Sequence, residues 1–289
     1  LYMHGNFGGK PLQLRQQRFR TDPAAILRIA EAVHDAGRGD RNLVVGVAPH
    51  SLRAVDPQAL ADLVAGARVL GAHAPVHIHA AEQTREVDDC VDWCGQRPVQ
   101  WLLEHAGVDS RWCIVHATHL TPAETRGLAA SGAVVGLCPS TEANLGDGIF
   151  PLIEYRAAAG RFGVGGDSHV SRDPAEELRL LEYVQRLVHR QRNLNVGKTS
   201  ASVGTTLWLE AAAGGAQAIG RPAGRIAPGA RADFVVLDGA HPDLAARSGD
   251  AIANALIFSG ATDLVHDVAV AGRWVVDQRR HDGAEEAAR

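Results

Sequence analysis

A chain of 289 residues can bury a sizeable core, and its length suits one large domain with a smaller one beside it. Hydrophobic residues make up 46% and charged residues 21%, with no apolar run near the roughly 20 residues that span a bilayer, so no membrane partner is expected. A net charge of -4 with scattered arginines gives no basic field, so nucleic acid is not an expected partner either. Cys90, Cys94, Cys113 and Cys138 lack a paired Cys-x-x-Cys spacing, which fits a reducing cytoplasm better than a disulfide framework or a zinc knuckle. The chain opens on Leu1 and its one methionine is Met3, so a missing N-terminal part is expected.

Residues 1–20 are polar and glycine-containing and read as a long loop. Thr21-Asp22-Pro23 then supplies a cap and a first-turn proline, and Ile26, Ile29, Ala30 and Val33 recur at helical spacing until Gly37, which predicts an amphipathic helix. The continuous apolar run Leu43 to Ala48 predicts a strand buried on both faces, ending in Pro49-His50-Ser51-Leu52-Arg53. A helix is expected from Pro57 to Leu70, a strand from Pro75 to Ala80, and helical structure from Thr84 to Ala106 with a break near Pro98. Cys113 to Ala117 reads as a strand, and Thr121-Pro122-Ala123-Glu124 opens a helix to Ser131 as a capping box. Further strands are expected over Ala133 to Leu137 and Arg161 to Gly165, with a helix from Ile149 to Ala159 between them. Long helices follow over Pro174 to Asn193 and Thr199 to Ile219.

After Gly220 the texture changes to short strands separated by turns, Arg231 to Asp238 and Val268 to Val276, so a small β unit is expected over 221–280 and a charged, frayed tail over 281–289. Over 1–220, strict alternation of strand and helix predicts a parallel sheet with right-handed crossovers, doubly wound or closed into a barrel. His50, His79, His116, Pro139-Ser140-Thr141 and Asp167 stand at the C-terminal ends of successive strands, where a (β/α)8 barrel gathers its active site, and this favours the barrel.

The stretch His77-Ile78-His79-Ala80-Ala81-Glu82-Gln83 carries the densest chemistry. Strand alternation puts His77 and His79 on one face, and Glu82 follows where a loop could return it over the same pocket. A metal ligand beside a proton carrier is one reading; a pair of satisfied core histidines before a helix is the other. Zinc takes imidazole and carboxylate and keeps a position open in catalytic sites, so His79 and Asp167 are suitable ligands.

These segments resemble the amidohydrolase superfamily, and within it the formiminoglutamate deiminases. The resemblance rests on Ala48-Pro49-His50-Ser51-Leu52-Arg53, on the His77 to Gln83 stretch, and on Val115-His116-Ala117-Thr118-His119-Leu120. It rests also on Cys138 to Gly148 with its Thr-Glu-Ala-Asn-Leu-Gly-Asp-Gly, on Gly166-Asp167-Ser168-His169, and on Pro228 to Asp238. It implies a (β/α)8 metal-dependent hydrolase barrel with a small β-sandwich domain, one Zn2+ per subunit (Fe2+ or Mn2+ would suit the same donors), and a homodimer. It implies that His79 and Asp167 bind the metal, that Glu82 shuttles a proton to the departing nitrogen, that Asp167 accepts the proton of the attacking water, and that His116 stabilises charge on the attacked centre. The implied substrate, N-formimino-L-glutamate, carries two carboxylates, for which Arg53 with His50 beside it is the candidate binding pair, although a surface arginine after a turn would look the same. His119 lies off the face of His116 and Thr118 and reads as structural or as a support for a residue of the site.

The resemblance also exposes a departure. Its other two metal ligands form a His-x-His pair on the first barrel strand, and counting back from Asp167 as the eighth strand makes His79 the fifth and leaves strands one to three absent, with Leu1-Tyr2 as the tail of the third. His77-x-His79 could itself be that first-strand pair, but only three strands would then follow it. Two other readings stay open: deamination of a purine, pterin or triazine-like ring, and a truncated, non-catalytic chain.

Overall fold

The computed structural model describes residues 1–198 and 200–284. After a 3-10 turn at Leu14–Phe19, α1 (Pro23–Ala36) starts where Asp22 accepts the N–H of Ala25 at 2.8 Å and Pro23 fills the first turn. Its apolar stripe is only partly used: Ala30 is buried, but Ile29 and Val33 face solvent. α2 (Pro57–Gly66) is capped by Asp56 and tightens into a 3-10 turn at Ala67–Leu70.

Then follow β1 (Val76–Ala80), α3 (Thr84–Cys94), α4 (Pro98–His105), β2 (Trp112–His116), α5 (Pro122–Ser131) and β3 (Val134–Leu137). The helical stretch after β1 breaks as its sequence predicts, at Gly95 with φ 78°, just before Pro98. The capping box at Thr121 is present in both directions, with Glu124 N donating to Thr121 Oγ1 at 3.2 Å and Thr121 N to the Glu124 carboxylate at 2.8 Å. α6 (Pro139–Leu145), α7 (Leu152–Ala157), β4 (Arg161–Val164), α8 (Pro174–His189) and α9 (Val203–Ala218) complete the α/β part. The helix expected from Thr199 begins at Val203; Thr199 itself lies outside the described residues.

β1 to β4 form one parallel sheet in sequence order, with Val76 paired to Trp112, Cys113 to Val134 and Val134 to Arg161. The core lies between this sheet and its helices, where Ile78, Ile114 and Phe162 meet Leu60, Leu63, Leu102, Leu128 and Tyr155, all 2% exposed or less. Each such side chain contributes about 1.5–3 kcal/mol on burial. α9 lies across the N-terminal ends of the strands: the Gln217 amide donates to the carbonyls of Ser110 and Gly132 at 2.9 and 2.8 Å.

The run Leu43 to Ala48 differs from its expectation. It joins the sheet beside β1 only through single bridges, Val47 with Val76 and Ser51 with His79, and Leu43 and Val44 are 37% and 39% exposed. Two-sided burial needs packing on both faces, and here only Val47 is covered. Leu1 lies on its far side, taking the N–H of His50 at 2.9 Å and giving its own amine to the carbonyl of Ala48 at 2.7 Å.

The unit after Gly220 is one antiparallel sheet, β5 (Phe234–Leu237), β6 (Val265–Val270), β7 (Arg273–Asp277) and β8 (Arg280–His281) in sequence order, with α10 (Asp250–Phe258) between its first two strands. α10 packs on α8 and α9, through a Tyr183–Phe258 ring stack and a hydrogen bond from Gly204 N to Asn254 Oδ1 at 2.8 Å. The expected tail thus begins inside β8, and its residues 285–289 lie outside the described residues. Among the described residues no helix is long and apolar enough to cross a membrane.

Candidate active site

β1 alternates as its sequence predicts, with Val76, Ile78 and Ala80 buried against the helices and His77 and His79 on the other face. The two histidines part company in their bonds. His77 donates from Nε2 to the carbonyl of Ala218 at 2.8 Å, which ties the strand to the end of α9. His79 donates from Nδ1 to the carbonyl of His50 at 2.8 Å, so its Nε2 is left as the lone-pair nitrogen that a metal ligand presents. The His79 ring lies 4.9 Å from that of His50 and 5.6 Å from that of His116, beside a cavity of about 590 Å³ walled by Tyr2, Phe19, Ile26 and Val115. A cavity of about 660 Å³ between α7 and α9 opens at the N-terminal end of β4, on the side opposite the histidine cluster, and its arginines are committed, Arg156 to Glu210 and Arg161 to Gln217.

Beyond β1 the backbone turns at Ala81, φ 53°, and Glu82 swings back over the strand ends. Its Oε1 lies 3.6 Å from His116 Nε2, and its Oε2 accepts from Arg53 Nη2 at 3.3 Å. Glu86, 2% exposed, accepts the N–H of Glu82 at 3.0 Å and lies 3.8 Å from the same guanidinium. Burial pushes the Glu86 carboxyl above its ordinary range, against the pull of Arg53. Arg53 is therefore not a free surface arginine: it is more than half buried between two carboxylates.

His116 ends β2 fully buried at φ 66°, with Ala117 following at φ 50°. Its Nδ1 lies 3.3 Å from Glu142 Oε1, and its Nε2 is buried without a hydrogen-bond partner among the described residues. Burial pulls its pKa down, but the Glu142 hydrogen bond and the charges of Glu82, Glu142 and Asp167 outweigh that and raise it. His79 moves the other way, lowered chiefly by burial, and His50 falls to about 3 through burial and the neighbouring His79 and Arg53. A neutral imidazole is the form that binds a metal.

Asp167 follows β4 at φ 45° and is exposed at the rim, where its negative charge favours the protonated forms of His79 and His116. Thr141 ties this loop to α6, bonding the Gly166 carbonyl at 3.2 Å and the Ser168 hydroxyl at 2.7 Å. The structure thus gathers His50, Arg53, His79, Glu82 and His116 in one cluster, with Asp167 on its edge.

His79 Nε2 offers a lone pair and Asp167 a carboxylate at the rim, donor types that a divalent metal takes. A second group of donors, His116, Cys138 and Glu142, lies within 4.8 Å of one another. Within it Glu142 Oε1 accepts the Cys138 N–H at 2.9 Å and lies 3.3 Å from His116 Nδ1, and burial pushes the Cys138 thiol far up. Sequence reasoning missed Glu86 and Glu142 as neighbours of the site, and also the link from Gln83 Nε2 to Asp147 Oδ1 at 3.0 Å. The density of polar residues from Cys138 to Gly148 was the available signal for Glu142 and Asp147. His119 is structural, donating from Nε2 to the carbonyl of Asp147 at 2.8 Å.

Known proteins resemble this chain in sequence and fold. A family model described as the amidohydrolase family matches residues 3–275. Formimidoylglutamate deiminase of Pseudomonas aeruginosa is 51% identical over 293 aligned residues, which cover 100% of this chain and 63% of that protein. Among solved structures, an amidohydrolase from Brucella melitensis superposes with a TM-score of 0.90 at 45% identity, over 99% of this chain and 62% of that one. An adenosine deaminase from Xanthomonas campestris with bound zinc gives 0.79 at 28% identity, over 90% and 58%. The chain spans less than two thirds of the length of these relatives. With the family model matching nearly its whole length, this chain belongs to the amidohydrolase family.

Proposed function

We propose that this site hydrolyses N-formimino-L-glutamate to N-formyl-L-glutamate and ammonia, with zinc as cofactor. The observation that carries the reading is the Arg53–Glu82 contact: a cation suited to a substrate carboxylate stands 3.3 Å from the acid that can move a proton. The 51% identity to a formimidoylglutamate deiminase supports the same substrate, and the zinc named for the Xanthomonas structure supports the metal.

His79, through Nε2, and Asp167 would hold the metal, which when bound supplies an acidified water for attack on the formimino carbon. Two protein donors are fewer than a catalytic zinc takes, and His77-x-His79 is the chain's one His-x-His pair. Asp167 takes the first proton on its carboxylate. His116 turns Nε2 toward the attacked centre, and Glu82, 3.6 Å from that nitrogen, passes both protons of the attacking water, the one held by Asp167 and the one left on the added oxygen, to the departing nitrogen, so that ammonia leaves and the amidine becomes an amide. Arg53 and His50 hold a carboxylate of the substrate.

The test is ammonia release from formiminoglutamate by the zinc-loaded full-length gene product, with adenosine as the aromatic control. Glu82→Gln should lower kcat by about 100- to 10,000-fold, the usual worth of a positioned acid–base group. A zinc-loaded protein that releases ammonia from adenosine alone, or from neither compound, removes the reading.

A further inference from the structure

Glu142 has no part in the reaction as described, yet its carboxylate is the partner of His116 at Nδ1, the ring nitrogen that does not face Glu82. It is 5% exposed, on the first turn of α6, and its Oε1 lies 2.9 Å from the Cys138 nitrogen and 3.3 Å from His116 Nδ1. An acceptor nitrogen facing a carboxylate would be repelled, so Nδ1 carries a hydrogen and donates it. The other nitrogen, Nε2, is buried, unpartnered among the described residues, and 3.6 Å from Glu82, beyond a good hydrogen bond.

The helix that carries Glu142 is itself fixed. Glu177 of α8 accepts from Ser140 N at 2.8 Å and Ser140 Oγ at 2.6 Å, and Thr141 bonds the loop after β4. The left-handed backbone at His116 points the same way, since strain of this kind persists only where the surroundings hold it. Capping α6 would account for the contact with the Cys138 N–H, as glutamates near helix starts do. It does not account for the contact with His116, whose ring comes from a strand 26 residues earlier.

We propose that Glu142 is a positioning residue, holding His116 by Nδ1 so that Nε2 is the nitrogen presented to the reacting centre. The inference rests on the deiminase reading for its substrate, but its geometry can be tested without it. In the zinc-loaded full-length gene product, Glu142→Gln keeps an oxygen for the Cys138 N–H and changes only the charge facing His116. It should lower kcat about 10- to 100-fold with KM within about twofold and zinc content unchanged, as loss of an orienting partner does. Glu142→Ala should lose at least as much, and Glu142→Asp should recover part of it.

Nitrogen-15 NMR of the His116 ring supplies the arm that needs no turnover: Nδ1 protonated in the native protein, and the Nε2-protonated neutral tautomer gained in Glu142→Ala. Wild-type kcat in Glu142→Gln overturns the proposal, as does a loss that merely tracks zinc content or folded fraction. If the native protein releases no ammonia from formiminoglutamate, the deiminase reading fails and the ring tautomer decides: a tautomer unchanged by Glu142→Ala overturns the positioning role, and a switched one upholds it.

Discussion

Arg53 and Glu82 are ion-paired, Nη2 to Oε2 at 3.3 Å, so the cation suited to bind substrate already steadies the acid suited to protonate the leaving group. On the proposed function, binding and proton transfer would be coupled through one guanidinium. Arg53→Ala should raise KM and also lower kcat, because Glu82 loses its partner and the buried Glu86 loses the charge that offsets its own. A lost charge-assisted hydrogen bond of about 1.5–3 kcal/mol corresponds to roughly a 10- to 150-fold fall in kcat/KM. Steady-state ammonia release measures both constants, and unchanged turnover would remove Arg53 from substrate binding.

Metal binding should be visible without substrate. The His79 Nε2 is free because Nδ1 is tied to the His50 carbonyl. Zinc at 100 times its dissociation constant should stabilise the fold by about 2.7 kcal/mol, read as a rise in Tm. His79→Ala should abolish most of that rise, measured against the variant's own metal-free Tm. An equal rise in both proteins would place the metal elsewhere.

The metal-free protein should lose stability on acidification, and His50 gives the sign. Its folded pKa lies near 3 against an ordinary value of 6.5, so between those values the unfolded chain binds a proton that the folded chain refuses. Stability is full above about pH 6.5 and falls by at most ~1.4 kcal/mol per pH unit below it. His79, also lowered, adds the same sign; His116, raised, contributes stability at low pH that is lost as pH rises through its folded value. Urea midpoints from pH 7 to 4.5 should fall less steeply in His50→Gln than in the native chain. Parallel slopes would show that His50 is protonated in the fold.

The seam between α9 and β4 sets a packing test. A Cβ at Gly214 would overlap the carbonyl of Phe162, whereas one at Gly215 meets open space. Gly214→Ala should destabilise the fold by about 1–3 kcal/mol through forced separation of helix and sheet. Gly215→Ala should be neutral or stabilise by up to about 1 kcal/mol, as alanine does within a helix. Denaturant unfolding of the two variants side by side distinguishes them, and equal effects would refute the docking of α9 on β4.

Local chemistry made much of this legible in the sequence. Asp22-Pro23 and Thr121-x-x-Glu124 announce helix starts because their caps are made within four residues, and the His77–Glu82 spacing places both ends of a strand-to-loop return. The run Leu43–Ala48 misled because a continuous apolar strand is recognised by composition, while its burial depends on neighbours that the run does not specify; Leu43 and Val44 stay exposed. α6 escaped notice because seven residues are too short to display helical periodicity. Glu142 beside His116 and Arg53 beside Glu86 are contacts across 26 and 33 positions, created by the sheet order, and no spacing rule in a single sequence contains them.

Left-handed backbone at Ala81, His116, Ala117 and Asp167 gathers at the ends of three strands, in residues that would relax there if they were glycine. That distribution sets stability and chemistry against each other in any lineage carrying this scaffold. Exchanges such as Ala81→Gly and Ala117→Gly relieve strain of about 1–2 kcal/mol each, and they also free the turns that aim Glu82 and His116. Heat resistance drawn from these two positions would be taken out of the turns that aim Glu82 and His116, and activity would fall with it.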